Sequence, residues 1–331
     1  MISAIGKKTD NDGKIVFHTV GDTGGVKNAE YQADVAAEMK DDLNLGAGKA
    51  PEFFYHLGDV VYYNGQVPDY YDQFYEPYNH YSAPIISIPG NHDGDPIDSS
   101  QASLDGWVRY FMTPTPHVNP ESQDAPRATM SQPNVYFTLL CPFVTIIGMY
   151  TNVPEHGSID STQQQWLTNE FSTAPKNKAL ILALHHPIYS FDDHHSGSPQ
   201  MADAVQHAIN DSRRVPNMVL TAHVHNYQRV ERSLIKGQQT PFLVIGHGGY
   251  FHLHNLNKGT SVGTVDPDTH AKLVAANDKQ HGYATLTVDA KHISGTMSVI
   301  ATPKAGANKE ADTFSYPAGA IELPEDTVVS L

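Results

Sequence analysis

The sequence predicts an α/β fold of two packed mixed β-sheets flanked by helices. Three observations carry that expectation. From about residue 14 to residue 222, short apolar runs alternate with segments of helical periodicity, the pattern of a sheet whose strands are joined through helices. After His225 strand follows strand without helices between them, which calls for a second sheet packed on the first. Five of the apolar runs also end directly in residues able to hold a metal ion: Asp22, Asp59, Asn91, His185, and the pair His223 and His225. Open α/β folds gather their sites at the carboxyl ends of strands in this way.

The elements follow in order. Residues 14–20 form a strand running into Gly21-Asp22-Thr23-Gly24-Gly25, and residues 28–43 a helix whose apolar face is Ala33, Val35, Ala36, Met39 and Leu43. Residues 53–57 are a buried aromatic and aliphatic strand between Pro51 and Gly58, ending at Asp59. An acid there is costly to bury unless it is paired or binds a cation. A tyrosine-rich stretch, 62–81, precedes the strand that ends at Gly90-Asn91-His92. From 101 to 133 the periodicity fails and prolines recur; loops of that length are functional covers or mobile segments. Trp107, Tyr110 and Phe111 inside it are expected to anchor it to the body.

Residues 134–140 and 143–149 read as a hairpin, and Ser161-Thr162-Gln163-Gln164 as a capping box opening a helix to about Ser172. A strand at 179–184 runs into His185, a helix spans 201–209, and a strand at 218–222 runs into His223. Strands at 227–234, 241–245, 283–288 and 293–300 complete the second sheet, and from about Pro303 the chain is expected to wrap the surface or to be poorly ordered.

Composition narrows the chemistry. A formal charge of −15 argues against nucleic acid and anionic membranes as partners, although bound metals can reverse a local field toward a phosphorylated ligand. The opening residues 1–14 are polar and lack a signal-peptide apolar region, so a periplasmic or secreted location would require a leader already removed. Cys141 is the single cysteine, which excludes thiolate metal clusters. Any metal is therefore held by oxygen and imidazole nitrogen, a donor set suited to iron, zinc or manganese. Six or seven such residues exceed one tetrahedral site, and two metals sharing a bridging carboxylate is the economical solution. His-x-His alone is a weak signal; it acts as a ligand pair only where the strand has ended and both rings can turn inward.

These segments resemble the calcineurin-like metallophosphoesterase superfamily, and specifically the purple acid phosphatases. Five blocks stand in order: Gly21-Asp22-Thr23-Gly24, Gly58-Asp59-Val60-Val61-Tyr62, Gly90-Asn91-His92-Asp93, His185, and Ala222-His223-Val224-His225. Ala222 replaces a usual glycine and Leu182 a usual valine. The resemblance covers residues 14–300 and leaves no room for a separate amino-terminal β-sandwich, implying one catalytic domain over 1–331 with an αββα sandwich.

The resemblance implies that Asp22, Asp59, Tyr62 and His225 hold Fe(III), and that Asp59, Asn91, His185 and His223 hold Fe(II), Zn(II) or Mn(II). It places His92 beside the substrate phosphate. His194 and His195, nine and ten residues after His185, stand at the spacing of two substrate-facing histidines; outside the resemblance they read as solvated loop residues. His186 is expected beside the centre without binding metal, Gly246-His247-Gly248-Gly249-Tyr250 matches a glycine-rich family turn, and His252 and His254 are expected at the surface. The implied function is an acid phosphatase hydrolysing small phosphate monoesters to inorganic phosphate. The alternatives are a phosphodiesterase of the same superfamily, against which Tyr62 argues, and a non-catalytic metal- or phosphate-binding protein.

Overall fold

The structure is a computed structural model that describes residues 12–300 and 310–331. The opening stretch 1–11 and residues 301–309 of the tail, on which two of the expectations above fall in part, lie outside the described residues. In chain order the strands are β1 (Lys14–Val20), β2 (Phe53–His56), β3 (Ile85–Ser87), β4 (Phe137–Leu140), β5 (Val144–Gly148), β6 (Ala179–Ala183), β7 (Arg214–Val215), β8 (Met218–Thr221), β9 (Tyr227–Ile235), β10 (Gln238–Ile245), β11 (Lys272–Asn277), β12 (Gly282–Asp289), β13 (His292–Val299), β14 (Glu310–Pro317) and β15 (Ile321–Glu322). The helices are α1 (Glu30–Asp42), the single turn α2 (Asn91–Gly94), α3 (Asp105–Phe111), α4 (Ser161–Thr173) and α5 (Pro199–Ser212).

One sheet has the order β14-β13-β12-β1-β2-β3 and the other β11-β9-β10-β8-β6-β5-β4. Both are mixed. In the first, β1, β2 and β3 run parallel and β12 pairs antiparallel with β1; in the second, β5, β6, β8 and β10 run parallel. Alternation along β6 shows the layering. Ile181 and Ala183 join the core shared with Phe17, Phe54 and Ile86 of the first sheet, whereas Leu180 and Leu182 face Leu167 of α4 and Val205 of α5. Two mixed sheets flanked by helices are therefore the fold, as expected.

The division of strands differs from the sequential reading. The late strands β12, β13 and β14 do not build the second sheet; they extend the first beside β1. Hydrophobic period marks a strand as buried but not its neighbour, and pairing is decided by contacts distant in sequence. The tail continues into this order: Arg229 holds Asp312 of β14 through Nε–Oδ2 at 2.7 Å and Nη2–Oδ1 at 3.0 Å, and Leu331 N donates to Gln206 on α5. It wraps the surface.

The long segment 101–133 contains α3, whose Trp107, Tyr110 and Phe111 are buried anchors. Its far end covers the free edge of β3. Gln132 Oε1 accepts from Ser87 N at 2.9 Å and Gln132 Nε2 donates to Ser87 O at 2.7 Å, so one side chain stands where another strand would pair. Two local expectations shift. Helix α4 is capped by Asp160, whose side chain accepts from Gln163 N, rather than by Ser161. On α1 the buried face contains Gln32 while Ala33 is exposed. Among the described residues, no helix is long and apolar enough to cross a membrane.

Candidate metal centre

The parallel strands of both sheets deliver their carboxyl ends to one edge of the sandwich. Asp22 follows β1, Asp59 follows β2, Asn91 opens α2 after β3, His185 follows β6, and His223 and His225 follow β8. Cross-sheet bonds close the edge: Gly21 N donates to Ile245 O at 2.9 Å and Tyr250 N to Asp22 O at 3.0 Å. Asp22, Asp59 and His223 adopt left-handed backbone, with φ of 55°, 53° and 67°. Such strain costs about 1–3 kcal/mol per residue and persists where the surroundings dictate it. Gly90 is required by proximity, because a Cβ there would lie 2.1 Å from Asp59 Oδ1.

The seven residues expected to bind metal converge in two groups. In the first, Tyr62 hydroxyl lies 3.0 Å from Asp22 Oδ1 and 3.2 Å from His225 Nε2, with His225 Nε2 3.5 Å from Asp22 Oδ1. In the second, Asn91 Oδ1 lies 3.0 Å from both His185 Nε2 and His223 Nδ1, and Asp59 Oδ2 is 3.4 Å from His185 Nε2. Asp59, His185 and His223 each bring one ligand atom within 4.8 Å of the others, a grouping able to hold a metal ion.

The hydrogen-bond partners of the rings fit a donor set for cations. His185 Nδ1 faces the Leu57 carbonyl at 2.9 Å and His225 Nδ1 the His252 carbonyl at 3.3 Å. A carbonyl only accepts, so in the neutral ring the proton sits on Nδ1 and the Nε2 lone pair turns inward. There it meets the oxygens of Asn91 and Asp59, or of Asp22. Electron donors crowd together with too few protons between them, an arrangement a cation relieves. Without a cation, protons take part of that place. Burial alone would lower His185, yet Asp59 beside it carries the imidazole up to about 9. Burial pushes Asp22 up to about 7 and His223 down to about 4. Burial, then Asp22 and Asp59, hold the Tyr62 phenol far above its ordinary range, so a phenolate there needs a strong cation.

Several positioning residues escaped the sequence reading. Gln73 clamps the backbone of Tyr62, Oε1 accepting from Tyr62 N at 2.9 Å and Nε2 donating to Tyr62 O at 2.8 Å. Asp93 accepts from Gly90 N at 2.8 Å and Val60 N at 3.1 Å, tying the loops of Asp59 and Asn91 together. His56 joins the loops of Asp22 and Asp59, with Nε2 2.8 Å from Thr23 Oγ1 and Nδ1 accepting from Gly58 N at 3.1 Å. His56 stands near the end of the 53–57 run and Asp93 follows Asn91 by two residues, so a polar residue at a strand end was the available signal; Gln73 had none.

Around the mouth, His92 gives Nδ1–H to the Tyr63 carbonyl at 2.8 Å, with its ring 4.6 Å from that of Tyr62. The His195 ring lies 4.4 Å from His223. His194 is one layer out, stacked at 4.4 Å on His254, which in turn lies 4.5 Å from His225. The expectation of a surface His254 is corrected: it is buried, since Asp192 Oδ2 lies 3.2 Å from its Nδ1. His252 is exposed. His186 packs 4.4 Å from the His223 ring, with Nδ1 on Thr151 Oγ1 at 2.7 Å.

The metal-free protein should be acid-labile. Burial holds His56 and His247 down to about 3, and lowers His18, His186, His223 and His225 as well. Unfolded histidine titrates near about 6.5, so below that pH the unfolded chain takes up protons that the folded chain refuses. These groups contribute stability above about 6.5 that drains as pH falls toward their folded values. Asp22 and Asp93, both pushed up to about 7 by burial, and His185, carried up to about 9 beside Asp59, oppose this, but the lowered imidazoles outnumber them. The melting temperature of metal-free protein should fall steadily between pH 7 and 4; a flat profile would contradict the buried neutral rings.

A family model described as calcineurin-like phosphoesterase matches residues 15–227. No curated protein matches the chain. Among solved structures, the chain is similar to purple acid phosphatase PPD1 from yellow lupin (Lupinus luteus) seeds, with a TM-score of 0.67 at 16% identity over 91% of this chain and 53% of that one. It is similar to GAP50, the anchor in the inner membrane complex of Plasmodium, with a TM-score of 0.66 at 13% identity over 92% and 89%. It is also similar to PhoD, with a TM-score of 0.56 at 14% identity over 96% and 72%. The chain spans about half the length of the lupin protein, and at these identities the likeness is one of fold.

Proposed function

The chain belongs to the calcineurin-like phosphoesterase family, which implies a metal-dependent phosphoesterase with a binuclear centre, and within it we propose a phosphomonoesterase of the purple acid phosphatase type formed as one catalytic domain. In this reading Asp22, Asp59, Tyr62 and His225 hold a ferric ion, and Asp59, Asn91, His185 and His223 hold Fe(II), Zn(II) or Mn(II). The observation that carries it is the Tyr62 hydroxyl, buried between Asp22 Oδ1 and His225 Nε2 at 3.0 and 3.2 Å. Nothing in the packing of an aromatic ring requires its oxygen to end among metal-ligand atoms.

Two metals bound there supply Lewis acidity toward phosphate oxygens and an activated water. The chain's own residues do the rest. Asp59 supplies one carboxylate to both sites, Oδ1 accepting from His92 N at 2.9 Å. His92, fixed through Nδ1–H on the Tyr63 carbonyl, acts as the protonated imidazolium, giving Nε2–H to the phosphate and passing that proton to the leaving oxygen, which leaves the ring neutral. His195 and His194 line the mouth and bond the remaining phosphate oxygens. The products are inorganic phosphate and an alcohol.

Colour tests the reading. A phenolate on Fe(III) gives a ligand-to-metal charge-transfer band, so protein purified with its native metals should be pink to purple. Tyr62→Phe removes only the oxygen and should abolish the band with the fold and iron content kept. An iron-loaded, oxidised, active wild-type protein without visible absorption would remove the ferric phenolate. Turnover of phosphomonoesters against a diester panel separates this reading from a phosphodiesterase. The same assay separates it from a non-catalytic metal- or phosphate-binding protein; the donor set with His92 beside it favours the enzyme.

A further inference from the structure

Glu155 lies on the loop between β5 and α4 and belongs to none of the five blocks. That loop is closed on itself: Ser158 N donates to Thr151 O at 2.8 Å, Gly157 N to Pro154 O at 2.6 Å, and Asn152 Nδ2 to Ser158 O at 2.7 Å. Ser198 Oγ donates to His156 O at 2.5 Å, docking it on the loop that carries His194 and His195. His195 is pinned in turn, its backbone N donating to Asp192 Oδ2 at 2.9 Å. Glu155 thus enters the mouth on a braced backbone. Its Oε1 lies 2.5 Å from His195 Nδ1 and 3.9 Å from His223 Nε2.

His223 makes this contact informative. Its Nδ1 points at Asn91 Oδ1, into the donor set. A ring that binds metal through Nδ1 carries its proton on Nε2. Among the described residues that buried Nε2 has no hydrogen-bond partner, and Glu155 is the carboxylate facing it. A carboxylate on the far nitrogen of a metal-bound histidine fixes the tautomer and raises the basicity of the ligating nitrogen. At 3.9 Å the carboxylate faces the neutral ring from beyond hydrogen-bond range, and a hydrogen bond forms where the two close by about 1 Å.

We propose that Glu155 is a positioning residue that orients His223 as a ligand of the second metal and couples it to His195 at the mouth. The inference rests on the reading of His223 as a ligand of that metal.

The test is metal binding. Protein holding iron in the first site, with the second metal removed by mild chelation, is titrated with Zn(II), and iron and zinc are followed separately by equilibrium dialysis and elemental analysis. Glu155→Ala should weaken the second metal by about 10–100-fold, leave the first in place, and leave the melting temperature of metal-free protein unchanged. Glu155→Gln, which keeps an oxygen acceptor without the charge, should fall between Ala and wild type. His223→Ala serves as the control for the underlying reading and should abolish second-metal binding. Lost binding in His223→Ala with Glu155→Ala within twofold of wild type would overturn the role of Glu155 alone. Retained binding in His223→Ala would overturn the ligand assignment, and the inference with it.

Discussion

Asp59→Asn is expected to leave a folded protein that holds neither metal at stoichiometric level, with affinity down by more than the roughly 10–100-fold that loss of an outer partner costs. The carboxylate is buried and both oxygens are engaged: Oδ1 accepts from His92 N at 2.9 Å and Oδ2 lies 3.4 Å from His185 Nε2. An amide keeps the shape but turns one oxygen into an N–H donor and removes the charge. Placed on Oδ1, the donor confronts the His92 N–H; placed on Oδ2, it occupies the side that faces the His185 lone pair. Either orientation loses the second anionic oxygen that two metals would share. Burial alone would raise the Asp59 carboxyl, yet His185, His92 and His223 hold it well below its usual range, so the anion is available even in acid. Metal content per chain and phosphomonoester turnover are the readouts. Full metal content with full activity would end the bridging assignment.

His92→Ala should do the opposite, keeping both metals while slowing turnover by about 10²–10⁴-fold, the usual scale of acid–base catalysis. The two effects separate because His92 touches Asp59 through its backbone N–H, which alanine retains, and faces the mouth through its ring, which alanine deletes. Loss of metal would instead make the ring part of the metal site. His194→Ala and His195→Ala should act more weakly and mainly on KM. The His195 ring lies against His223, while His194 is half-exposed and stacked on His254. Unchanged kinetics in both would return the pair to solvated loop residues.

The legibility of this protein divides along a physical line. Local period and composition mark which short runs are buried strands, and the residues that follow show that five of them end in oxygen- or imidazole-bearing side chains able to hold a metal ion. The sequence also showed that those ends could meet, since carboxyl ends of parallel strands share one edge. His194 and His195 were reachable only through their spacing from His185, and His254 not at all, because its burial depends on Asp192 sixty-two residues away. The three-dimensional arrangement puts β12, β13 and β14 in the sheet of β1 rather than in the sheet of β9 and β10. It alone decided that Gln73 clamps Tyr62 and Gln132 seals β3, that His185 and His225 turn Nε2 inward while His223 turns Nδ1, and that Glu155 faces His223. Each of those is a contact between residues far apart in the chain. A local pattern fixes which face of a segment is apolar; it carries no information on which distant backbone or side chain will stand opposite.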